Sequence, residues 1–258
     1  MFDLFGLKEG NSRLIVSMPH SGIQLGPIQG KLTLDAMRLP DTDWHLPQLY
    51  NFLHALDVTL ISANYSRYVV DLNRDPSGES LYPGQSVTEL CPTTLFDDQP
   101  LYLDGELPDG SEISDRQTRY YDPYHAEIQK QIDRLRTLHS DVILFDAHSI
   151  KSEVPRFFEG KLPDFNIGTN SGKSCYTDFE TLAYNTLSRS ARHSTVLNGR
   201  FKGGFITRKY GNPVEGVHSI QLEMSQALYM NEETLSYDTQ KASVVQPLLR
   251  SMITQLMR

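Results

Sequence analysis

The sequence predicts an α/β fold with a mixed, mostly parallel sheet. Short β-branched runs alternate along the chain with segments of helical spacing, the pattern of strand and helix units layered about one sheet. Three of the apolar runs lead directly into a residue able to hold or serve a metal. In open α/β sheets such residues collect at the carboxyl ends of strands. The 258 residues fit one large α/β domain or two small ones. No repeat, low-complexity tract or Pro/Ser linker divides them, so residues 1–258 are read as a single domain.

The first strand is expected at 14–18, where Leu14, Ile15 and Val16 lead through Met18 into Pro19, His20, Ser21 and Gly22. A short helical piece is expected at 34–38. The apolar spacing of 44–53 is helical, with Asp41 or Asp43 as its N-cap. Residues 58–63 and 68–72 read as the next strands. Residues 76–110 are rich in Pro, Gly, Ser and Asp and form a long loop region, the kind of segment that often serves as a lid or binding element. Asp122 before Pro123 reads as an N-cap with Pro at the first helical position, opening an amphipathic helix through Ile128, Ile132, Leu135 and Leu138. The strand at 142–145 then runs into Asp146, Ala147, His148 and Ser149. An irregular stretch is expected at 151–174 and a helix near 179–188. A strand at 217–222 runs into Glu223, Met224 and Ser225, and a last helix covers 244–257.

Composition narrows the function. Lys and Arg total 24 against 32 Asp and Glu, a formal charge of −8. General binding to nucleic acid or a membrane surface needs a cationic face and is not expected; a small cationic pocket for an anionic substrate is compatible with this charge. Cys91 and Cys175 cannot make a disulfide framework and form no CxxC pair, so both are read as free thiols in a reducing cytoplasm. The N-terminal residues show no signal-peptide pattern, and no apolar run is long enough to span a membrane.

A hydrolytic zinc site has three protein ligands and an open position for water. His20 and His148 are candidates for two of them, both in small-residue turns after strands. Asp43 is read as the third, with Asp41 and His45 competing in the same five-residue stretch. Each also has a plain structural reading, as a hydrogen-bonded His or a helix cap. Asp146 is a candidate partner orienting a ligand His. Glu223, at the end of an apolar strand, is expected to be desolvated, which raises its pKa toward the range useful to a general base. Arg67 and Arg74 flank the expected strand at 68–72, with Asn73 and Arg74 at its carboxyl end. Arginine grips carboxylates bidentately, so a substrate bearing one or more carboxylates is indicated. Arg156, and Arg200 with Lys202 in a Gly-rich turn, supply further cations; that turn reads as an anion-binding nest or a hairpin. Residues 168–174 resemble a P-loop but are one residue short and have no convincing strand before them. His125 falls in the first turn of its helix, where it could face the cleft.

As an ordered set, Pro19-His20-Ser21-Gly22, Asp41 to His45, Asp71 to Pro76, Asp146 to Ser149, Asn198 to Gly204 and Gln221 to Glu223 resemble the N-formylglutamate amidohydrolase family across nearly the whole chain. More distantly, the order His, Asn-Arg, His, Glu is similar to aspartoacylases and zinc carboxypeptidases. The resemblance implies their phosphorylase/hydrolase-like fold, a mixed sheet flanked by helices with the metal at the strand ends. One departure matters: those distant relatives carry a Glu ligand three residues after the first His, where this chain has Ile23. The carboxylate ligand must come from elsewhere, and Asp43 fills that role. The implied reaction is hydrolysis of N-formyl-L-glutamate to formate and L-glutamate, the last step of one histidine-degradation route. It implies one divalent metal, zinc first, on His20, Asp43 and His148, with cobalt, iron and manganese also suited to those ligands. Glu223 is then the base and Arg67 an oxyanion partner. Asn73 with Arg74 would hold one substrate carboxylate, and Arg156, Arg200 or Lys202 the other. The alternatives are a deacylase of another N-acyl amino acid, a carboxypeptidase-like hydrolase, or a small dicarboxylate-binding protein without catalysis. Oligomeric state is left open.

Overall fold

In chain order the strands are β1 (Phe5–Lys8), β2 (Leu14–Met18), β3 (Thr59–Ala63), β4 (Val142–Ile150), β5 (Phe165–Gly168), β6 (Thr195–Leu197) and β7 (Val217–Ser225), in a computed structural model that describes residues 3–79 and 87–258. Met1 and Phe2 of the N-terminal segment, and residues 80–86 of the loop expected at 76–110, lie outside the described residues. The seven strands form one sheet in the spatial order β1-β3-β2-β4-β7-β5-β6. Pairing is parallel from β3 through β2 and β4 to β7, and again between β5 and β6. It is antiparallel where β1 joins β3 and where β5 joins β7. A two-stranded ribbon, β8 (Met230–Asn231) and β9 (Ser236–Tyr237), follows. The helices are α1 (Leu46–Leu49), α2 (Gly110–Arg116), α3 (Asp122–Arg136), α4 (Thr177–Leu187), α5 (Phe205–Tyr210) and α6 (Thr239–Leu256). No helix among the described residues is long and apolar enough to cross a membrane.

Period-two alternation divides the central strands between two cores. Leu14, Val16, Met18, Ile143, Phe145, Ala147, Ile220, Leu222 and Met224 pack on one face with residues of α1, α4 and α6. Ile15, Val142 and Leu144 pack on the other with α3 and α5. Every residue of β4 is buried, because helices cover both sides of this parallel region. Each such Leu, Ile or Phe contributes roughly 1.5–3 kcal/mol. On the α3 side, the series Val142, Leu144 continues as Asp146 and His148. The same face of β7 carries Ser219, Gln221 and Glu223. The in-register pairs Asp146 with Gln221 and His148 with Glu223 therefore place polar side chains beside one another, one step beyond the apolar core.

Several expected elements differ. Residues 68–72 are not a strand. The Val69 amide turns back to Ser66 O, and Asp71 N–H donates to Leu90 O, so the run is buried coil held by the polar groups around it. The helix expected at 44–53 is only α1 followed by a 3-10 helix, Asn51–Ala55. His45, at φ 61°, precedes α1 without a side-chain cap; neither Asp41 nor Asp43 caps it, since both carboxylates turn inward. Asp122 is not an N-cap. Helix formation starts at Gly110, with Asp109 accepting from Glu112 N, and runs through a π-helical turn, Gln117–Tyr121, into α3. Asp122 N–H bonds Gln117 O, and that shifted ladder accommodates Pro123 inside a continuous helix. The irregular stretch 151–174 contains β5, so a strand does precede the P-loop-like residues. Their amides are occupied nonetheless: Thr169 and Ser171 N–H both donate to Asn198 Oδ1. The Gly-rich turn at 198–204 is no hairpin but the connection from β6 to α5.

Candidate active site

His20 lies two residues beyond β2, His148 within β4, and Asp43 on the coil before α1. The structure gathers all three. One donor atom from each lies within 4.8 Å of the others, and all three residues are buried. The two imidazoles are oriented alike. His20 Nε2 is 2.7 Å from Asp71 Oδ1, and His148 Nε2 is 2.8 Å from Asp146 Oδ2. Carboxylates only accept, so each Nε2 carries the proton and each Nδ1 turns to Asp43. His148 Nδ1 is 3.2 Å, and His20 Nδ1 3.8 Å, from Asp43 Oδ2. A carboxylate behind each ring is the arrangement that fixes metal-binding histidines.

The electrostatics suit a cation at this point. Burial, then Arg67, holds His20 below its ordinary pKa and so neutral. Burial also opposes charge on His148, but Asp146 and Asp43 outweigh it and raise its pKa well above the usual value. The space between His148 and Asp43 thus favours a positive charge, which a divalent ion could supply in place of the proton. Asp71 stays ionised: burial works against it, but Arg67, Arg74 and His20 hold its pKa well below the carboxylate range. Glu223 is 8% exposed. Burial, assisted by Asp43 and Asp146 and opposed by His148 and Arg67, pushes its pKa up to about 8. His20, Asp43 and His148 fit a metal; Glu223 fits a proton carrier beside it.

These groups open onto a cavity of about 380 Å³ whose wall includes His20, Asp43, His148, Glu223, Arg67, Asn73, Arg74 and Arg200. Arg67 Nη2 donates to Asp71 Oδ2 at 2.6 Å, and its guanidinium stacks 4.8 Å from the Phe96 ring centre. Arg74 bonds Thr88 Oγ1 and Asn73 O, and Arg200 Nε donates to Phe157 O. Among the described residues, neither Arg156 nor Lys202 lines the cavity. Arg156 Nη1 donates to Leu95 O and Thr94 Oγ1, and the Lys202 carbonyl accepts from Asn170 N. Asn73 has protein partners at both ends of its amide. Oδ1 accepts from Ile206 N at 2.8 Å, while Nδ2 lies 3.0 Å from His148 Nε2 and 3.4 Å from Asp146 Oδ2.

Of the two competitors of Asp43, Asp41 accepts from Tyr68 Oη and Phe96 N, and His45 Nε2 meets Leu235 O. Neither joins the cluster. His125 does not face the cleft. Its Nε2 lies 2.9 Å from Leu72 O and its Nδ1 2.9 Å from Tyr210 Oη, and burial, then Lys209, lowers its pKa to about 3. Tyr121 Oη donates to Arg74 O, so the π-helical turn and the first turn of α3 grip the backbone on both sides of Asn73. The role of Asp71 against His20 was not read from sequence. Its acidic side chain two residues before Asn73 was the available signal, but only the fold pairs it with His20.

Residues 12–230 match the model of a family described as N-formylglutamate amidohydrolase. N-formylglutamate deformylases of Pseudomonas putida and Pseudomonas aeruginosa are each 41% identical over 259 residues, spanning 100% of this chain and 97% of theirs. Among solved structures, N-formylglutamate amidohydrolase from Ralstonia eutropha JMP134 superposes with a TM-score of 0.82 at 24% identity, covering 98% of this chain and 96% of that one. A gene product from Agrobacterium tumefaciens gives 0.71 at 17% identity, covering 100% and 97%. These two superpositions describe the same fold.

Proposed function

The chain belongs to the N-formylglutamate amidohydrolase family, and on that premise we propose that it hydrolyses N-formyl-L-glutamate to formate and L-glutamate with a divalent metal. The observation that carries this reading is the buried His20, Asp43 and His148 cluster, sharing a cavity with Glu223 and three arginines. A divalent ion, zinc first, would be held by Nδ1 of His20, Nδ1 of His148 and the Asp43 carboxylate, and would supply Lewis-acid activation of water and of the formyl carbonyl. Glu223 takes a proton from the attacking water as the new C–O bond forms. It then delivers that proton to the amide nitrogen as the C–N bond breaks, releasing L-glutamate. A carboxyl whose pKa lies near 8 both accepts and returns a proton near neutrality. Arg67, fixed by Asp71, faces the developing oxyanion. Arg74 and Arg200 take the two substrate carboxylates. Asn73, whose Oδ1 accepts from Ile206 N and whose Nδ2 donates to Asp146 Oδ2, has a second Nδ2 hydrogen to give and joins Arg74 on one substrate carboxylate. The reaction is assigned to histidine degradation on the family resemblance, and to the cytoplasm on the two free thiols, Cys91 and Cys175.

The test is formate release from N-formyl-L-glutamate by protein as purified, after chelation, and after Zn²⁺ is restored, with N-acetyl-L-glutamate as the comparison. Activity lost on chelation, regained with metal and selective for formyl supports the assignment. No formate under any metal condition overturns it, and preference for acetyl moves the assignment to another N-acyl amino acid.

A further inference from the structure

Asp43 lies on neither a strand nor a helix, and yet its carboxylate must be held still to serve as a ligand. Its own N–H donates to His20 O at 3.1 Å, and Ser149 N–H donates to its Oδ2 at 3.1 Å. The carbonyls on either side of it are also held, and both holds come from the segment just after β7. Gln226 Nε2 donates to Thr42 O at 2.9 Å. Tyr229 Oη donates to Trp44 O at 2.9 Å.

Both side chains also meet Ser149. Tyr229 Oη is 2.6 Å, and Gln226 Nε2 3.4 Å, from Ser149 Oγ. Tyr229 has one hydroxyl proton, and Trp44 O can only accept, so that proton goes to Trp44 and Ser149 Oγ–H donates to Tyr229. Gln226, Ser149 and Tyr229 thus form one chain of bonds that starts on Thr42 and ends on Trp44, with Asp43 between them. All three are buried, at 1%, 2% and 0% exposure. Losing the Tyr229 bond strips the Trp44 carbonyl of that partner, while Thr42 O would still accept from Trp44 N–H at 2.8 Å.

We propose that Tyr229 and Gln226 are positioning residues that hold the Asp43 backbone in register with His20 and His148 and thereby set metal affinity. This rests on the metal reading given above. Neither residue bonds a donor atom of the cluster, so their effect reaches Asp43 through its two flanking carbonyls and through Ser149, whose N–H holds its Oδ2.

The test is the Kd for Zn²⁺, measured on the full chain by competition with a chromogenic chelator. Tyr229→Phe is expected to raise that Kd about 10–100-fold, the usual cost of losing a partner behind a ligand. Gln226→Leu is expected to act in the same direction. It is the milder change for folding, because Gln226 Oε1 has no partner among the described residues and its removal costs no bond. Tyr102→Phe, which removes a buried hydroxyl bonded to Arg116 and to none of His20, Asp43 or His148, is expected to leave the Kd unchanged. In an Asp43→Ala background, Tyr229→Phe is expected to add nothing. A wild-type Kd in both Tyr229→Phe and Gln226→Leu overturns the proposal. So does an equal loss with and without Asp43, which would mean general loosening. If the wild-type chain binds no Zn²⁺, the metal reading itself fails and takes this proposal with it.

Discussion

Gly204→Ala tests the packing behind His148. At Gly204 φ is −80° and ψ −163°, ordinary extended backbone, so a methyl group is excluded by a neighbour and not by strain. A Cβ built there falls 2.4 Å from Asn73 Nδ2 and 2.7 Å from Asn73 Cγ. Gly204 cannot easily retreat, because its N–H donates to Gln221 Oε1 at 2.7 Å. Asn73 must move. Overpacking of this kind costs about 1–3 kcal/mol. Pulling Oδ1 away from Ile206 N leaves a buried donor unpaired, at about 1–3 kcal/mol more. Together these predict a loss of roughly 2–6 kcal/mol. At about 2–4 °C per kcal/mol for a chain near this size, Tm should fall on the order of 10 °C. Because Asn73 also lies against His148 and Asp146, formate release should fall as well, even below the unfolding range. The assays are thermal unfolding followed by circular dichroism, and initial rates at 25 °C. Removing the obstructing side chain should relieve the clash: Asn73→Ala combined with Gly204→Ala is expected to lose less stability than the two single losses together. Wild-type Tm and rate in Gly204→Ala, or strict additivity in the double variant, would refute the reasoning.

Three other outcomes are expected. Glu223→Gln should lower kcat about 10²–10⁴-fold while bound Zn²⁺ stays at the wild-type ratio by elemental analysis; parallel loss of metal would make Glu223 a ligand and not a base. Arg200→Ala should raise KM for N-formyl-L-glutamate roughly tenfold or more, from a charged hydrogen bond worth about 1.5–3 kcal/mol, with kcat changed less; an unchanged KM removes Arg200 from the substrate. His125 should make the fold acid-sensitive. Its folded pKa is about 3 against 6.5, so its stabilisation is complete above 6.5 and is lost as pH falls toward 3, because the unfolded chain takes up the proton first. By pH 4.5 that loss is about 3 kcal/mol. Urea unfolding at pH 7 and 4.5 should show a smaller pH difference in His125→Gln than in the wild type, and equal differences would exclude His125 as the source.

What was legible in the sequence follows the length of each pattern. β2, β4 and β7 are apolar runs buried on both faces, and such runs announce themselves. His20, His148 and Glu223 could be placed because each directly extends one of them. The short strands were not legible. β5 carries Asn166 and ends in Gly168, and β6 has three residues, too little for a period to show. Residues 68–72 failed in the other direction: Tyr68, Val69 and Val70 have strand-forming side chains, but Tyr68 and Val69 are buried by packing between loops and 3-10 turns and Val70 by the core beneath α3. Asp43 was reached from the need for a carboxylate near His20, and its cap reading fell because its Oδ2 is claimed by Ser149 N and His148. Tyr229 and Gln226 left no signal, and the helix position of His125 pointed to the cleft and not to Leu72 O. Each acts on a backbone carbonyl distant in sequence, and carbonyls are the same at every residue.

The pairing of β4 with β7 also has a consequence for the growing chain. β7 is inserted between β4 and β5, and it covers β4 along its whole length, from Val142 to Ile150. Between synthesis of Ile150 and of Val217, that edge has no partner strand. At about 5–20 residues per second the interval is roughly 3–13 s. A long, apolar, unpaired edge is where chains join one another wrongly. Chains cut short before Val217 should therefore aggregate and not merely lose activity, since the strand that brings Glu223 is also the one that closes the sheet.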